Sequence, residues 1–102
     1  MKYKVITSQT AYFQISECIS FLDNVSPDAA LRLYNEIMNS LRSLEEMPDR
    51  CPVVEEFKTP LGDIHRMVIA NGKFIILYRI DDDTVYVNYV VDTRKDIKNI
   101  DI

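Results

Sequence analysis

The stretch IHRMVIANGKFIILYRIDDDTVYVNYVVDTRKD, residues 64–96, decides the fold. It reads as three alternating β-strands joined by two short turns. Asn71-Gly72 is the preferred pair for a two-residue type I′ hairpin, because both central positions of that turn need positive φ. This turn sets Ala70 opposite Lys73, Ile69 opposite Phe74, Met67 opposite Ile76 and His65 opposite Tyr78. Between them Val68 meets Ile75 and Arg66 meets Leu77. A second turn at Asp82-Asp83 sets Ile80 opposite Val85, Tyr78 opposite Val87, Ile76 opposite Tyr89 and Phe74 opposite Val91. On the alternate side it sets Arg79 against Tyr86, Leu77 against Asn88 and Ile75 against Val90. A slip of one residue at this turn would mix the faces, which favours a two- or four-residue loop over a three-residue one.

The two registers give one consistent core face: Met67, Ile69, Phe74, Ile76, Tyr78, Ile80, Val85, Val87, Tyr89 and Val91. The other face is decorated. It carries Arg66, Lys73, Arg79, Tyr86, Asn88 and Asp92 around an apolar strip of Val68, Ile75, Leu77 and Val90. A solvated face carries fewer branched aliphatics, so this strip is expected to be covered by the chain's own tail, a partner or a second copy.

Working upstream, Met47 to Gly62 holds three prolines (Pro48, Pro52, Pro60) and no clean period. This is a loop long enough to be suspected of function. Its acidic pair Glu55-Glu56 is a solvated charge or a catalytic carboxylate. Before it, Ser26-Pro27-Asp28 is a strong helix start, with a cap, a first-turn proline and an acid at the positive pole. Ala30, Leu33, Tyr34, Ile37, Leu41 and Leu44 then form one stripe, and Pro48 predicts an end near Glu46. An earlier helix begins after Ser8 with Ala11, Tyr12, Ile15, Cys18, Ile19 and Leu22 at helical spacing. It is expected to break at Asp23-Asn24-Val25. The short connection makes the two helices an antiparallel pair. Lys2 to Thr7 alternates as a short strand. The fold class is α+β: an N-terminal strand, an antiparallel helix pair, and a three-stranded antiparallel meander, with the helices on one face of a small sheet.

The 102 residues make one domain with a modest core. No apolar run approaches the roughly 20 residues of a membrane span, and the N-terminus is too short in apolar residues for a signal peptide. The expected location is the cytoplasm, with no membrane partner. Cys18 and Cys51 make no disulfide framework, and one histidine without a Cys/His cluster argues against zinc or any other metal. Nothing calls for a cofactor. A net charge of -4 argues against a surface that is wholly a nucleic-acid footprint. His65, set against Tyr78, reads as a partly buried, hydrogen-bonded histidine or as a base.

In order and spacing the chain resembles the RelE/ParE superfamily of type II toxins, nearest the ParE-like (plasmid stabilisation) branch. The resemblance lies in the opening strand, Ser26-Pro27-Asp28-Ala29-Ala30, and Leu44-Glu45-Glu46-Met47-Pro48. It continues in the strands Ile64-His65-Arg66-Met67-Val68 and Lys73-Phe74-Ile75-Ile76-Leu77-Tyr78-Arg79-Ile80, and in Val90-Val91-Asp92-Thr93-Arg94-Lys95-Asp96. It implies a small antiparallel sheet flanked by two helices, and a cognate antitoxin that wraps the toxin. ParE-like members act on DNA gyrase, whereas RelE-like members cut mRNA on the ribosome. RNA cleavage by the 2′-hydroxyl needs a base, an acid and a neutralised phosphate. The chain departs from the cutting branch in three places. Ile75 stands where many nucleases carry an arginine, Asp92 replaces the usual histidine, and no terminal Tyr or His follows Lys98.

The candidates are therefore Arg66, Arg94 and Tyr86 for any catalysis, and Arg66, Arg79, Arg94 and Lys95 for target or phosphate contact. The structural alternative for Arg66 and Arg94 is that they pair with nearby acids, such as Asp92 or Asp96, and fix the tail. The resemblance implies an antitoxin segment over Val68, Ile75, Leu77 and Val90, added as a strand or laid in as a helix. The alternatives to a gyrase-directed toxin are a ribosome-dependent mRNA endoribonuclease and a non-toxic binding module on the same fold. A homodimer of the free chain is a further expectation.

Overall fold

The computed structural model describes residues 2–57 and 59–94. Strand β1 (Lys4–Thr7) leads into helices α1 (Gln9–Val25) and α2 (Pro27–Ser43). Strands β2 (His65–Ile69), β3 (Phe74–Asp81) and β4 (Thr84–Asp92) follow. The sheet order is β1-β4-β3-β2. β1 runs parallel to β4, pairing Val5 with Val85 and Thr7 with Val87. The sheet is thus mixed, and the expectation of a wholly antiparallel one is corrected. β1 takes the sheet edge opposite β2, beside β4.

The helices begin as their sequences dictate. Ser8 Oγ accepts from Ala11 N at 3.0 Å, and Ser26 Oγ from Ala29 N at 3.3 Å. The expected break at Asp23-Asn24-Val25 does not occur, since α1 runs through Val25. Ser26 alone joins the helices, because its N–H donates to Leu22 O at 2.7 Å while its carbonyl accepts from Ala30 N at 3.0 Å. One residue closes α1 and opens α2. α2 stops at Ser43, earlier than Pro48 alone implies. Arg50 supplies the reason: its guanidinium donates to the carbonyls of Ser43 (3.3 Å), Glu46 (2.9 Å) and Met47 (3.2 Å). It thus satisfies acceptors that a longer helix would use itself.

The first hairpin follows the sequence reading pair by pair, from His65–Tyr78 to Ile69–Phe74. Asn71 (φ 55°, ψ 38°) and Gly72 (φ 85°) have the positive φ of a type I′ turn, closed by Lys73 N to Ala70 O at 3.1 Å. The second hairpin also starts as read, with Ile80 on Val85, Arg79 on Tyr86 and Tyr78 on Val87. There the agreement stops. A β-bulge makes Asn88 an extra residue, so Leu77 pairs with Tyr89, Ile76 with Val90, Ile75 with Val91 and Phe74 with Asp92. The pairings of Leu77 with Asn88, Ile76 with Tyr89, Ile75 with Val90 and Phe74 with Val91 are corrected. The cause lies across the strand, where β1 ends and α1 begins. Ser8 N donates to Val87 O at 2.9 Å, and Ser8 Oγ donates to Asn88 O at 2.9 Å. Val90 N donates to Gln14 Oε1 at 2.8 Å. The helix start takes ladder groups that a longer strand would take, and β4 bends to meet it.

The bulge moves Val90 to the helix side and Tyr89 and Val91 away from it. The core unites Ala11, Ile15, Ile37, Leu41 and Leu44 with Ile69, Phe74, Ile76, Tyr78, Val85, Val87 and Val90. The helices cover one face of the sheet, as the patterning requires.

Candidate functional site

The decorated face is where the chemistry was expected, and the chain covers its middle itself. Ile64, Leu77 and Val91 form a second buried cluster, with Val54, Phe57, Ile75 and Tyr89 packed against it. The segment after Cys51 acts as a strap, held by Arg66 N to Pro52 O (2.9 Å) and Val54 N to Ile64 O (2.7 Å). It is continued by an isolated bridge between Val53 and His65. The cover seen over the middle of the strip is the chain's own loop, which was not among the three covers expected; the tail beyond Arg94 lies outside the described residues. Leu77 and Val90 are buried, the first under this strap and the second in the helix-side core. They present no surface. Ile75 is half-buried, while Val68 is 54 % exposed.

The strap is locked from beneath. Tyr78, wholly buried, donates its hydroxyl to Pro48 O at 2.6 Å. His65 stacks on the Tyr78 ring, with centroids 5.3 Å apart and planes 15° from parallel. His65 Nδ1 meets Cys51 O at 2.8 Å, which sets this nitrogen as the N–H donor. His65 is half-buried and hydrogen-bonded, with a structural role in holding the loop. Burial, and then a hydrogen bond from the Tyr78 hydroxyl to the Cys51 side chain, push that hydroxyl far above its usual range.

The basic residues do not converge. Arg79 lies 4.2 Å above the Tyr86 ring, and its Nη1 stands 3.8 Å from Asp81 Oδ2. Tyr86 is thereby capped on one face by a cation, and Arg79 is only 17 % exposed along its side chain. Arg94 is clamped by Asp92: Nε to Oδ1 at 2.9 Å and Nη2 to Oδ2 at 2.7 Å, with Arg94 N also donating to Oδ1. The Asp92 hydrogen bonds, then its charge, raise the Arg94 pKa further. Arg94 lies beyond the Phe74–Asp92 end of the sheet, within electrostatic reach of Cys18 on α1. Arg66 is exposed on β2, across from Leu77, and its guanidinium has no partner among the described residues. Lys95 lies outside the described residues. The structure brings Arg79 to Tyr86 as the register required, and leaves Arg66 and Arg94 apart.

Among the described residues no group of His, Cys, Asp and Glu could hold a metal ion. No helix among them is long and apolar enough to cross a membrane.

Two helices packed on one face of a 1-4-3-2 sheet can be set beside known proteins. A sequence profile of the ParE toxin of type II toxin–antitoxin systems, parDE, matches residues 5–97. The chain belongs to the ParE toxin family. It is similar in fold to the chromosomal ParDE toxin–antitoxin system from P. aeruginosa, at a TM-score of 0.72 and 10 % identity. That match covers 89 % of this chain and 96 % of the other. None of the curated proteins matches the chain. At 10 % identity the structural likeness carries the fold alone, while the profile carries the ParE family and hence a type II toxin.

Sequence reasoning missed two features of this ParE-family chain. The strap's apolar contacts, Val54 and Phe57, lie in a segment with no period to mark them. The bulge did leave a signal: Asn88 is a poor strand former set in a run of valines and tyrosines.

Proposed function

We propose that this ParE-family chain arrests growth by binding a protein target, DNA gyrase, rather than by cutting RNA, and that a cognate antitoxin holds it in check in the cytoplasm. The observation that supports this reading is the Asp92 clamp on Arg94. A phosphate approaching Arg94 meets a carboxylate already in place, and displacing it sacrifices two charge-assisted hydrogen bonds. The strap adds to the case by filling the centre of the face.

The antitoxin is proposed to add an extended segment beside β2. Val68 remains exposed there, on the open margin of the sheet beyond the strap. Strand addition would supply main-chain hydrogen bonds, with Val68 and Ile75 offering apolar contact.

Expression of the chain alone tests toxicity. Growth arrest with loss of gyrase supercoiling and intact mRNA is the expected result. Arrest with mRNA cleavage would install the endoribonuclease in its place, and normal growth would leave a binding module. Arg66→Ala should relieve the arrest, and Arg94→Ala should relieve it only if breaking the clamp disturbs the target surface. If neither does so, the target surface lies elsewhere.

A further inference from the structure

The sheet faces are accounted for by the helices and the strap, but the outer side of α1 is not. Phe13, Glu17 and Phe21 recur every four residues and so form one line along the helix. Phe13 is two residues from both Ala11 and Ile15, about 200° around the helix from the buried stripe. The line therefore points straight out. Phe13 is 63 % exposed and Phe21 73 % exposed. Glu17 lies exposed between them, with no hydrogen bond or ion pair among the described residues. Scattered apolar residues on a surface need no explanation. Two phenylalanines in line, flanking an unpaired acid, are an organised feature.

Along this stretch of sequence the charge is one-sided, and Arg94, which lies within electrostatic reach of Cys18, is already clamped by Asp92. No Lys, Arg or His lies between Lys4 and Arg32, whereas Glu17, Asp23 and Asp28 do. Phe21 stands near the carboxyl end of α1, where the helix dipole is negative, and the last turn contains no basic residue to offset it. Asp23 adds to that negative pole. An anionic surface such as a nucleic acid or a membrane is repelled here. A second copy in a two-fold pair would bring the same acidic face against this one.

We propose that the Phe13–Glu17–Phe21 face of α1 is a docking surface for a cationic amphipathic helix of a partner protein. An arginine of that helix pairs with Glu17 and lies against the flanking rings, while its apolar neighbours cover Phe13 and Phe21. The proposal rests on the composition and exposure of α1 and stands apart from the toxin reading. It also lies away from the β2 margin assigned to the antitoxin.

The test uses the full chain, isotopically labelled, at about 0.15 M salt, where weak surface attraction is largely screened. Three designed helical peptides are titrated: an Arg/Leu amphipathic helix, the same helix with Glu in place of Arg, and a scramble of the first with its apolar face destroyed. The Arg peptide is expected to shift amide signals from Phe13 to Phe21 and to bind at least roughly tenfold tighter than its scramble. The double variant Phe13→Ser/Phe21→Ser, folded by circular dichroism, should weaken it by about the same factor. Glu17→Lys should transfer the preference to the Glu peptide. Equal binding of the scramble, shifts centred elsewhere, no binding, or an unaffected double variant would overturn the proposal. So would a wild-type dimer in sedimentation that the double variant dissociates, since the face would then belong to a second copy.

Discussion

Replacing Tyr78 by phenylalanine isolates one hydroxyl and tests the lock beneath the strap. The ring stays, with its packing against the core and His65, so the change is confined to the hydroxyl, which makes the 2.6 Å bond to Pro48 O and also meets the Cys51 side chain. Pro48 is itself fully buried, and its carbonyl has no water to turn to. Loss of the bond costs about 1 kcal/mol, and the stranded acceptor raises the total to about 1–3 kcal/mol. For a domain of this size, that lowers Tm by roughly 4–15 °C. The same hydroxyl leaves a signature in pH. Its pKa in the folded chain lies far above the usual tyrosine value near 10. Above pH ~10 the unfolded chain therefore releases this proton while the folded one keeps it. Unfolding is then favoured as pH rises, by up to about 1.4 kcal/mol per pH unit. Urea titrations from pH 7 to 11 on both proteins would measure the two effects. The phenylalanine variant should be less stable at pH 7 and should lose stability less steeply above pH 10. A loss below ~0.5 kcal/mol at pH 7 together with an unchanged slope would refute the reasoning, because a buried, satisfied hydroxyl cannot be so cheap to remove.

Deleting Asn88 should leave a folded protein, because Val87 on Tyr78 and Tyr89 on Leu77 then follow without a bulge, whereas deleting Val87 should unfold it; thermal melts of both would show the contrast. Met47 holds φ 48° with a side chain 70 % exposed, so Met47→Gly relieves strain without losing packing and should stabilise by roughly 0.5 kcal/mol in urea. Arg50→Ala removes the guanidinium from three carbonyls and the Ser43 hydroxyl, and should destabilise by about 1 kcal/mol, a modest value because the site is exposed. Amide exchange at the end of α2 should speed up in that variant and stay unchanged in α1.

The fold was legible wherever a local rule governed it. Asn71-Gly72 can hardly do other than turn the chain, and the first hairpin followed from it residue by residue. Ser8 and Ser26 announced both helix starts. What escaped was set by contacts distant in sequence. The bulge at Asn88 answers to Ser8 and Gln14, and the end of α2 answers to Arg50. The parallel direction of β1 is settled by its pairing with β4, a strand remote in sequence. For the site, the Arg79–Tyr86 pair came from register alone and holds in space. The clamp of Asp92 on Arg94 is the structural alternative read from the sequence for Arg94, and it is the one present. The burial of Leu77 could not be read, since its cover comes from a loop without a pattern.

The sheet order 1-4-3-2 has a consequence for how this chain is made. Ser8 and its partner Asn88 are 80 positions apart. During synthesis β1 emerges first and finds no neighbour until β4 emerges, and the apolar sides of both helices wait with it. Closure over so long a loop is slow, and the waiting surfaces are open to capture. The fold is completed only as its last described strand appears, so a partner already in the cell meets an unfinished sheet with a place vacant beside β1.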